Sequence, residues 1–317
     1  MSRYIALRIA KGILTFLIAA TITFLIVRLM PGDPTTALIS DSLSPADAQV
    51  LKESFGLDKP LYQQYFLFLR NLFRGDLGYS FFYKDSVMSI IGNKLWWTLL
   101  LMGVSLGITL LVGIPLGVIS AKHQGGLLDQ IINVAVVIGV SIFVPLLAFL
   151  LLYIFSFKLM WTPIGGAYTP GIVKSALVFD VIRHMVLPCL TLVITYLASI
   201  VLYTRNSMLD VLKEDYVRTA KAKGVGDRAV TWSHALRNAL IPTVTVTGLM
   251  IGKMVAGAVL TETVFSWPGV GTMIYDAVQK QDFPLLQGAF LVLSASVVIM
   301  TLVTDLVVAW LDPRIKL

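Results

Sequence analysis

The sequence predicts an all-α membrane protein with six transmembrane helices, an extracytoplasmic segment after the first and a cytoplasmic helix between the fourth and fifth. Hydrophobic residues make up 57% of the 317 positions and charged residues only 14%, with a mean hydropathy of +0.83. Water-soluble chains carry far more charge than this. The apolar residues also form six blocks, each near the length of about 20 residues that a bilayer crossing needs.

The six blocks define the predicted order of the chain. The predicted spans are about 9–30, 95–121, 130–157, 186–204, 240–262 and 285–311. They divide the chain into an N-terminal anchor helix (1–30), an extracytoplasmic lid segment (31–94) and a five-helix core (95–317) that contains a loop at 205–239. The first block follows Arg3, Arg8 and Lys11 as a secretory signal would, but it is too long and lacks a small-residue cleavage site. We therefore expect a retained anchor.

The distribution of charge between the spans predicts the orientation. With the N-terminus in the cytoplasm, the short inner segments hold thirteen Lys and Arg against six acids, whereas the longer outer segments hold ten against eleven. This is the positive-inside pattern. It accounts for the formal charge of +7 without nucleic-acid binding, because no basic run is combined with stacking aromatic residues.

The lid segment 31–94 predicts a small ordered element outside the membrane. A helix is expected to begin near Ser44-Pro45, since serine caps helices and proline suits the first turn. An aromatic run at 62–73 favours packing on the helix bundle or at the membrane interface, with a partner-binding face as the alternative.

Within the spans, glycine pairs four residues apart predict closely packed helices. These pairs are Gly103/Gly107, Gly113/Gly117 and Gly248/Gly252.

Ionisable residues inside the spans are few, and two lie deep. Lys253 lies in the fifth span and Asp305 in the sixth. The sequence leaves open whether they pair, bracket a polar path or reach water separately. A proton- or sodium-driven transporter usually has carboxylates at the bilayer midplane and broken helices, and neither is evident. No phosphate-binding Gly-x-x-x-x-Gly-Lys-Ser/Thr loop is present, so any use of ATP requires another subunit.

Catalytic and metal chemistry is not predicted for this chain. The single cysteine, Cys189, lies in an apolar run, and the histidines at 123, 184 and 234 lack the spacing of a metal site. We therefore predict no catalytic residue and no metal ligand. A membrane-embedded enzyme would need clustered nucleophile, base or ligand residues.

The segment 208–224 has the pattern of an amphipathic helix on the cytoplasmic side. Leu209, Leu212, Tyr216 and Ala220 recur at helical spacing, charges occupy the other face, and Gly224 is suited to close the helix in a left-handed conformation. Asp227 is expected to cap a second helix that continues through Pro242 into the fifth span. The pattern favours a partner-docking element, with a solvated basic loop or a DNA-binding helix-turn-helix as weaker alternatives.

The same loop resembles the coupling motif of ABC importer permeases, which is Glu-Ala-Ala, three residues, Gly, nine residues and Ile-x-Leu-Pro. Ala220, Gly224 and Leu236 agree strictly. The strings 215–224 and 234–242 are similar to the variant found in dipeptide and oligopeptide permeases, and the similarity extends to Pro31-Gly32-Asp33-Pro34, 56–61, 74–80, 262–271 and 311–314. The chain therefore resembles the first permease subunit of the peptide and nickel transport family.

That resemblance implies a bacterial inner-membrane complex with partners. These are a second homologous permease, two cytosolic ATPase subunits that hold ATP and Mg²⁺, and an extracytoplasmic substrate-binding protein. It assigns ATPase coupling to Leu212, Asp215, Tyr216, Val217, Arg218, Thr219, Ala220, Lys221, Ala222, Lys223 and Gly224. It also makes Trp267, Pro268 and Gly269 candidates for contact with the binding protein.

The implied function is ATP-driven import of peptides by alternating access, with no cofactor in this chain. Relatives of this kind also carry nickel, metal chelates or glutathione, and the sequence does not choose among these substrates. A secondary transporter coupled to protons through Asp305 or Lys253, and a scaffold or receptor, remain as rival classes. They differ in whether uptake needs ATP and whether substrate crosses the membrane at all.

Overall fold

The computed structural model describes residues 2–29, 59–80 and 82–311. The helix predicted near Ser44-Pro45, the Pro31–Pro34 and 56–58 motifs and the ending after Leu311 lie outside the described residues. Within them the helices are α1 (Ser2–Leu29), α2 (Leu61–Phe73), α3 (Val87–Lys122), α4 (Leu127–Ser141), α5 (Val144–Lys158), α6 (Leu177–Val211), α7 (Asp215–Ala222), α8 (Asp227–Val264), α9 (Val270–Gln279) and α10 (Phe283–Leu311).

The structure corrects the all-α expectation at one place. Strands β1 (Tyr79–Ser80) and β2 (Asp85–Ser86) pair antiparallel in a two-stranded hairpin immediately before α3. Because α3 begins at Val87, the end of the predicted lid segment, 87–94, belongs to a helix that continues into the second span.

Five of the described helices are long and apolar enough to cross a membrane, and the predicted third span is different. Instead of one helix over 130–157, α4 and α5 meet at an angle of 102°. Ile142 and Phe143 between them have extended backbones. Pro145, in the first turn of α5, has no N–H to continue the hydrogen bonding of α4, which favours a break at this point. The number of crossings is five, or six if the bent pair is one span.

The described chain divides into two compact units. The first contains the described residues within 1–10, 99–267 and 299–317. Here α6 packs against α4, α5 and α8. One predicted glycine pair, on α3, allows a close contact with α6. A Cβ on Gly113 would lie 2.7 Å from a side-chain carbon of Ile200, and a Cβ on Gly117 would lie 2.7 Å from a side-chain carbon of Thr204. The pair at 103 and 107, in contrast, has open space beside it.

The second unit contains the described residues within 11–98 and 268–298. Helix α2 packs on α1 through two of the five aromatic residues of the run: Tyr65 and Phe68 pack around Phe24, with ring centroids 5.3 Å from it. The Tyr65 hydroxyl is also 2.8 Å from the Thr21 hydroxyl. The other members of the run, Tyr62, Phe66 and Phe73, are exposed, so the predicted packing holds for one face of α2 only.

Polar contacts fix the hairpin to the start of α10 within this unit. The Ser80 hydroxyl donates to the buried carboxylate of Asp282, which also accepts from the Leu285 N–H and so caps α10. Burial raises the pKa of Asp282. The Tyr83 hydroxyl donates to Asp276 at 3.3 Å, and burial, together with the Asp276 carboxylate, raises the pKa of Tyr83 to about 12.

Candidate functional site

The segment predicted to form one amphipathic helix over 209–223 is divided between two helices. The long helix α6 ends at Val211, and α7 begins at Asp215 after a turn in which the Lys213 and Glu214 N–H groups bond to Asp210 and Val211. Glu214 has an extended backbone at the N-cap of α7, which separates α7 from α6. The continuous helix was therefore a wrong prediction, and α7 is a separate element of eight residues.

The apolar spacing that suggested one helix has another cause. Val217 of α7 is fully buried in a cluster with Val118 and Ala121 of α3 and Met208 of α6. Leu209, Leu212 and Ala220 pack on the same cluster from both sides of the turn. Buried residues of α8 complete the cluster: Val230, Ala235 and Ala239. Helix α7 is thus attached to the ends of three long helices, mainly by one side chain.

Gly224 closes α7 as predicted. Its φ of +80° is in the left-handed region, which favours glycine. The Gly224 N–H bonds to the Lys221 carbonyl and the Val225 N–H to the Ala220 carbonyl, which are the two bonds of a Schellman motif. Val225 and Ala220 also pack on the same apolar cluster. The end of α7 is therefore fixed both by backbone hydrogen bonds and by burial.

The remaining surface of α7 is open. Asp215, Arg218, Thr219, Lys221, Ala222 and Lys223 are exposed. Tyr216 is 40% exposed, and its hydroxyl accepts a hydrogen bond of 2.8 Å from the Asn238 amide of α8. An ion pair joins Asp215 and Arg218 at 3.8 Å, but both side chains are solvated and such pairs stabilise little. This surface offers one aromatic ring and several charges to a partner.

Helix α8 leads from the loop into the membrane without interruption. Gly226, not Asp227, occupies the N-cap, and Asp227 lies in the first turn, where a carboxylate favours the helix dipole. The capping prediction was thus wrong by one residue. A π-helical stretch covers Val230–Ala235, and Pro242 lies inside the helix. The predicted connection from the loop through Pro242 to the fifth span is confirmed.

A buried ion pair near this cluster was missed by the sequence analysis. The guanidinium of Arg205 on α6 donates to both carboxylate oxygens of Asp129 on α4, each at 2.7 Å. Asp129 is 3% exposed and also accepts from Ser120 of α3 at 2.6 Å, from the Asn133 amide and from the Gly125 N–H. The group joins the ends of α3 and α6 to the start of α4. The sequence did carry a signal for this pair: Asp129 and Arg205 have opposite charges and lie at the ends of two predicted spans, on the same predicted side of the membrane.

The two polar residues predicted deep in the spans are not paired with each other. Asp305 of α10 forms an ion pair of 2.8 Å with Arg8 of α1. Lys253 is exposed on α8, and within the described residues it takes part in no ion pair. Its backbone carbonyl accepts a hydrogen bond of 2.9 Å from the Tyr196 hydroxyl on α6. Of the three arrangements left open, pairing of Lys253 with Asp305 is contradicted.

The predicted binding-protein contacts lie mostly below the surface. Trp267 is fully buried, Gly269 is buried and Pro268 keeps partial exposure. Their contact role stays a prediction, and Pro268 carries most of the remaining accessible surface. Among residues 2–29, 59–80 and 82–311, no group of three or more His, Cys, Asp or Glu side chains is placed to hold a metal ion.

Comparison with known proteins gives full-length relatives. An oligopeptide transport system permease protein of Bacillus subtilis is 37% identical, covering 100% of both chains. A di/tripeptide transport system permease protein of Pseudomonas aeruginosa is also 37% identical, over 100% of this chain and 99% of its own. A glutathione transport system permease protein of Pectobacterium atrosepticum has the same identity and coverage. The resemblance to ABC importer permeases is confirmed.

A solved structure shares the fold. The MetNI methionine ABC transporter, in an inward-facing conformation, matches with a TM-score of 0.57 at 15% identity, over 71% of this chain and 97% of that one. The family model described as the binding-protein-dependent transport system inner membrane component matches residues 113–317, and the model of its N-terminal part matches residues 1–102. The chain belongs to the family of inner membrane components of binding-protein-dependent transport systems.

Proposed function

We propose that this chain is a permease subunit of an ATP-driven peptide importer and that α7 is the element through which ATPase subunits move it. The names of the oligopeptide and di/tripeptide relatives support a peptide substrate, and the glutathione relative supports a small peptide in particular. Nickel and metal chelates remain the alternative substrates. The partners in this proposal are a second homologous permease, two ATPases that hold ATP and Mg²⁺, and an external binding protein.

The observation that carries the proposal is the attachment of α7. Its single fully buried side chain, Val217, lies among residues of α3, α6 and α8, while most of its other residues are exposed. A short helix with one anchored face and a free outer face is suited to insert into a groove of another protein. Because three long helices meet at its anchor, displacement of α7 would move all three together.

Nucleotide binding drives transport in this proposal by shifting a conformational equilibrium. ATP changes the preference for an outward-open state only if the ATPases contact the permease differently in the two states. A rigid link between α7 and the spans would transmit this difference in ATPase contacts to the helix bundle. The Schellman motif at Gly224 and the continuous helix α8 both make the link rigid. The Asp129–Arg205 pair would extend the link to α4.

We further infer a cytoplasmic N-terminus and six crossings, with the bent pair α4–α5 as one of them. The positive charge of the segments 1–11, 122–129 and 205–239 supports this orientation. The loop that carries α7 then faces the cytosol, where ATPase subunits are located.

The test is a charge reversal on the exposed face of α7. Arg218→Glu removes no buried contact, since the Arg218 side chain is 74% exposed. We expect loss of ATPase subunits on co-purification, because an inserted helix contacts its groove over this surface. The matched control is Lys174→Glu, an exposed charge reversal just before the opposite end of α6. Equal retention of the ATPases by both variants would exclude α7 as the docking element.

A further inference from the structure

The exposed face of α8 carries a lysine at a depth where lipid is a poor neighbour. Lys253 lies eleven residues before the end of the helix at Val264, which corresponds to about 17 Å of helix length. A hydrocarbon core is about 30 Å thick, so Lys253 is near its middle. A charged group at that depth is costly unless it meets water or a counter-charge.

The backbone at this position is held by neighbouring helices. The Tyr196 hydroxyl of α6 bonds to the Lys253 carbonyl at 2.9 Å. Five residues earlier, Gly248 lies directly against the Thr304 side chain of α10, so closely that a Cβ at Gly248 would collide with it. Helices α6 and α10 cover parts of α8, and Lys253 lies on the part that stays exposed.

The exposed face around Lys253 differs in composition from the exposed middle of α4. At helical spacing it presents Pro242, Thr245, Leu249, Lys253, Ala256 and Leu260, all of them exposed, so that a hydroxyl and an ammonium group lie among apolar side chains. The exposed positions of α4 between residues 131 and 140, in contrast, are all aliphatic, with Ile131, Val134 and Ile138 each about 60% exposed. An aliphatic face suits lipid, whereas small, hydroxyl and charged groups suit a water-filled path.

We propose that Lys253 lines the translocation path and that its ammonium group binds the terminal carboxylate of a peptide in transit. This inference rests on the proposed function and specifies the substrate as one that carries a carboxylate. Charge complementarity favours this occupant: a lysine on a path is a mobile point charge that can hold an anion without enclosing it. A carboxylate side chain of the second permease is the competing counter-ion, and the experiment separates the two.

The chain offers a simple background for testing this proposal, because Cys189 is its only cysteine and is buried. In the Cys189→Ala background, Lys253→Cys places a single thiol at this position. A thiol-reactive reagent can then add a charge there in the assembled complex. Aminoethyl methanethiosulfonate adds a positive group and sulfonatoethyl methanethiosulfonate a negative one. Ile131→Cys on the aliphatic face of α4 is the control that should not react with either reagent.

The readout is uptake of trialanine and of trialanine amide into proteoliposomes that contain the full complex. Each rate is divided by that of the Cys189→Ala complex for the same peptide, so that preferences of the binding protein cancel. We expect Lys253→Cys to lower trialanine uptake about tenfold, the effect of one lost charge-assisted bond, and amide uptake much less. The positive reagent should restore trialanine uptake, and the negative one should not.

Three outcomes would overturn the proposal. Failure of both reagents to modify the thiol introduced by Lys253→Cys would mean that the face is not on an aqueous path. An equal loss for the acid and the amide would mean that no carboxylate is bound. If the second permease dissociates from the Lys253→Cys variant but not from the Lys253→Arg variant, the lysine forms an ion pair with a carboxylate of the second permease and not with the peptide. Absence of peptide uptake by the Cys189→Ala complex itself would instead contradict the proposed function.

Discussion

At the scale of single residues, the buried Asp129–Arg205 pair is a contact whose removal should destabilise the protein. Asp129 is buried and accepts five hydrogen bonds in all, from Arg205, Ser120, Asn133 and Gly125. Deleting one partner of such a pair leaves the other charge buried and uncompensated, a loss of about 3–5 kcal/mol. The double deletion leaves no unpaired charge and should cost less than the sum of the single ones.

We therefore expect Asp129→Ala and Arg205→Ala each to lower the thermal inactivation midpoint in detergent by many degrees, and the double variant to recover part of the loss. Arg205→Lys should resemble Arg205→Ala more than wild type, because an ammonium does not form the paired bonds of a guanidinium. The control is Arg218→Ala, whose ion pair is solvated. Additive midpoint shifts would show that the two residues stabilise the protein independently.

At the scale of elements, the left-handed closure of α7 has a direct test. A Cβ on Gly224 would meet no atom within 4 Å, so a substitution there strains the backbone and nothing else. Asn tolerates the φ of +80° far better than Val, whose branched side chain is strongly disfavoured there. We expect Gly224→Val to lose ATPase subunits on co-purification and to expose the loop to limited proteolysis. Gly224→Asn should retain the ATPase subunits and the protease resistance of wild type. Equal behaviour of the two variants would contradict a left-handed residue at the end of α7.

The elements also show how far the sequence could predict this fold. Hydropathy identified each of the long apolar helices among residues 2–29, 59–80 and 82–311, because a membrane span is recognised by its length and apolar composition. It did not identify the break at Ile142–Phe143, since Pro145 is compatible with both a kink and a helix start. The spacing of Leu209, Leu212, Tyr216 and Ala220 matched one helix, although Leu209, Leu212 and Ala220 reach their common cluster from two. The spacing of apolar residues within one helix cannot predict a pair such as Asp129 and Arg205, which are 76 residues apart in the sequence.

At the scale of the whole molecule, the same ion pair bears on the number of crossings. Arg205 near the end of α6 contacts Asp129 at the start of α4, so these two ends lie on one membrane side. The other end of α6, at Leu177, lies a membrane thickness away, because 35 helical residues span about 52 Å. This placement supports the proposal that the chain between Asp129 and Leu177 crosses the bilayer, with α4–α5 as the crossing. A re-entrant loop would leave Asp129 and Leu177 on the same side.

Labelling from one side of the membrane distinguishes these topologies. In the Cys189→Ala background we place single cysteines at three exposed lysines: Lys84 after β1, Lys174 before α6 and Lys221 in α7. With six crossings and an inner N-terminus, a membrane-impermeant maleimide should react with Lys84→Cys and Lys174→Cys in spheroplasts. Lys221→Cys should react only in inverted vesicles. Labelling of Lys84→Cys together with Lys221→Cys, but without Lys174→Cys, would instead make α4–α5 a re-entrant pair and would place α7 outside the cytosol, where no ATPase could reach it.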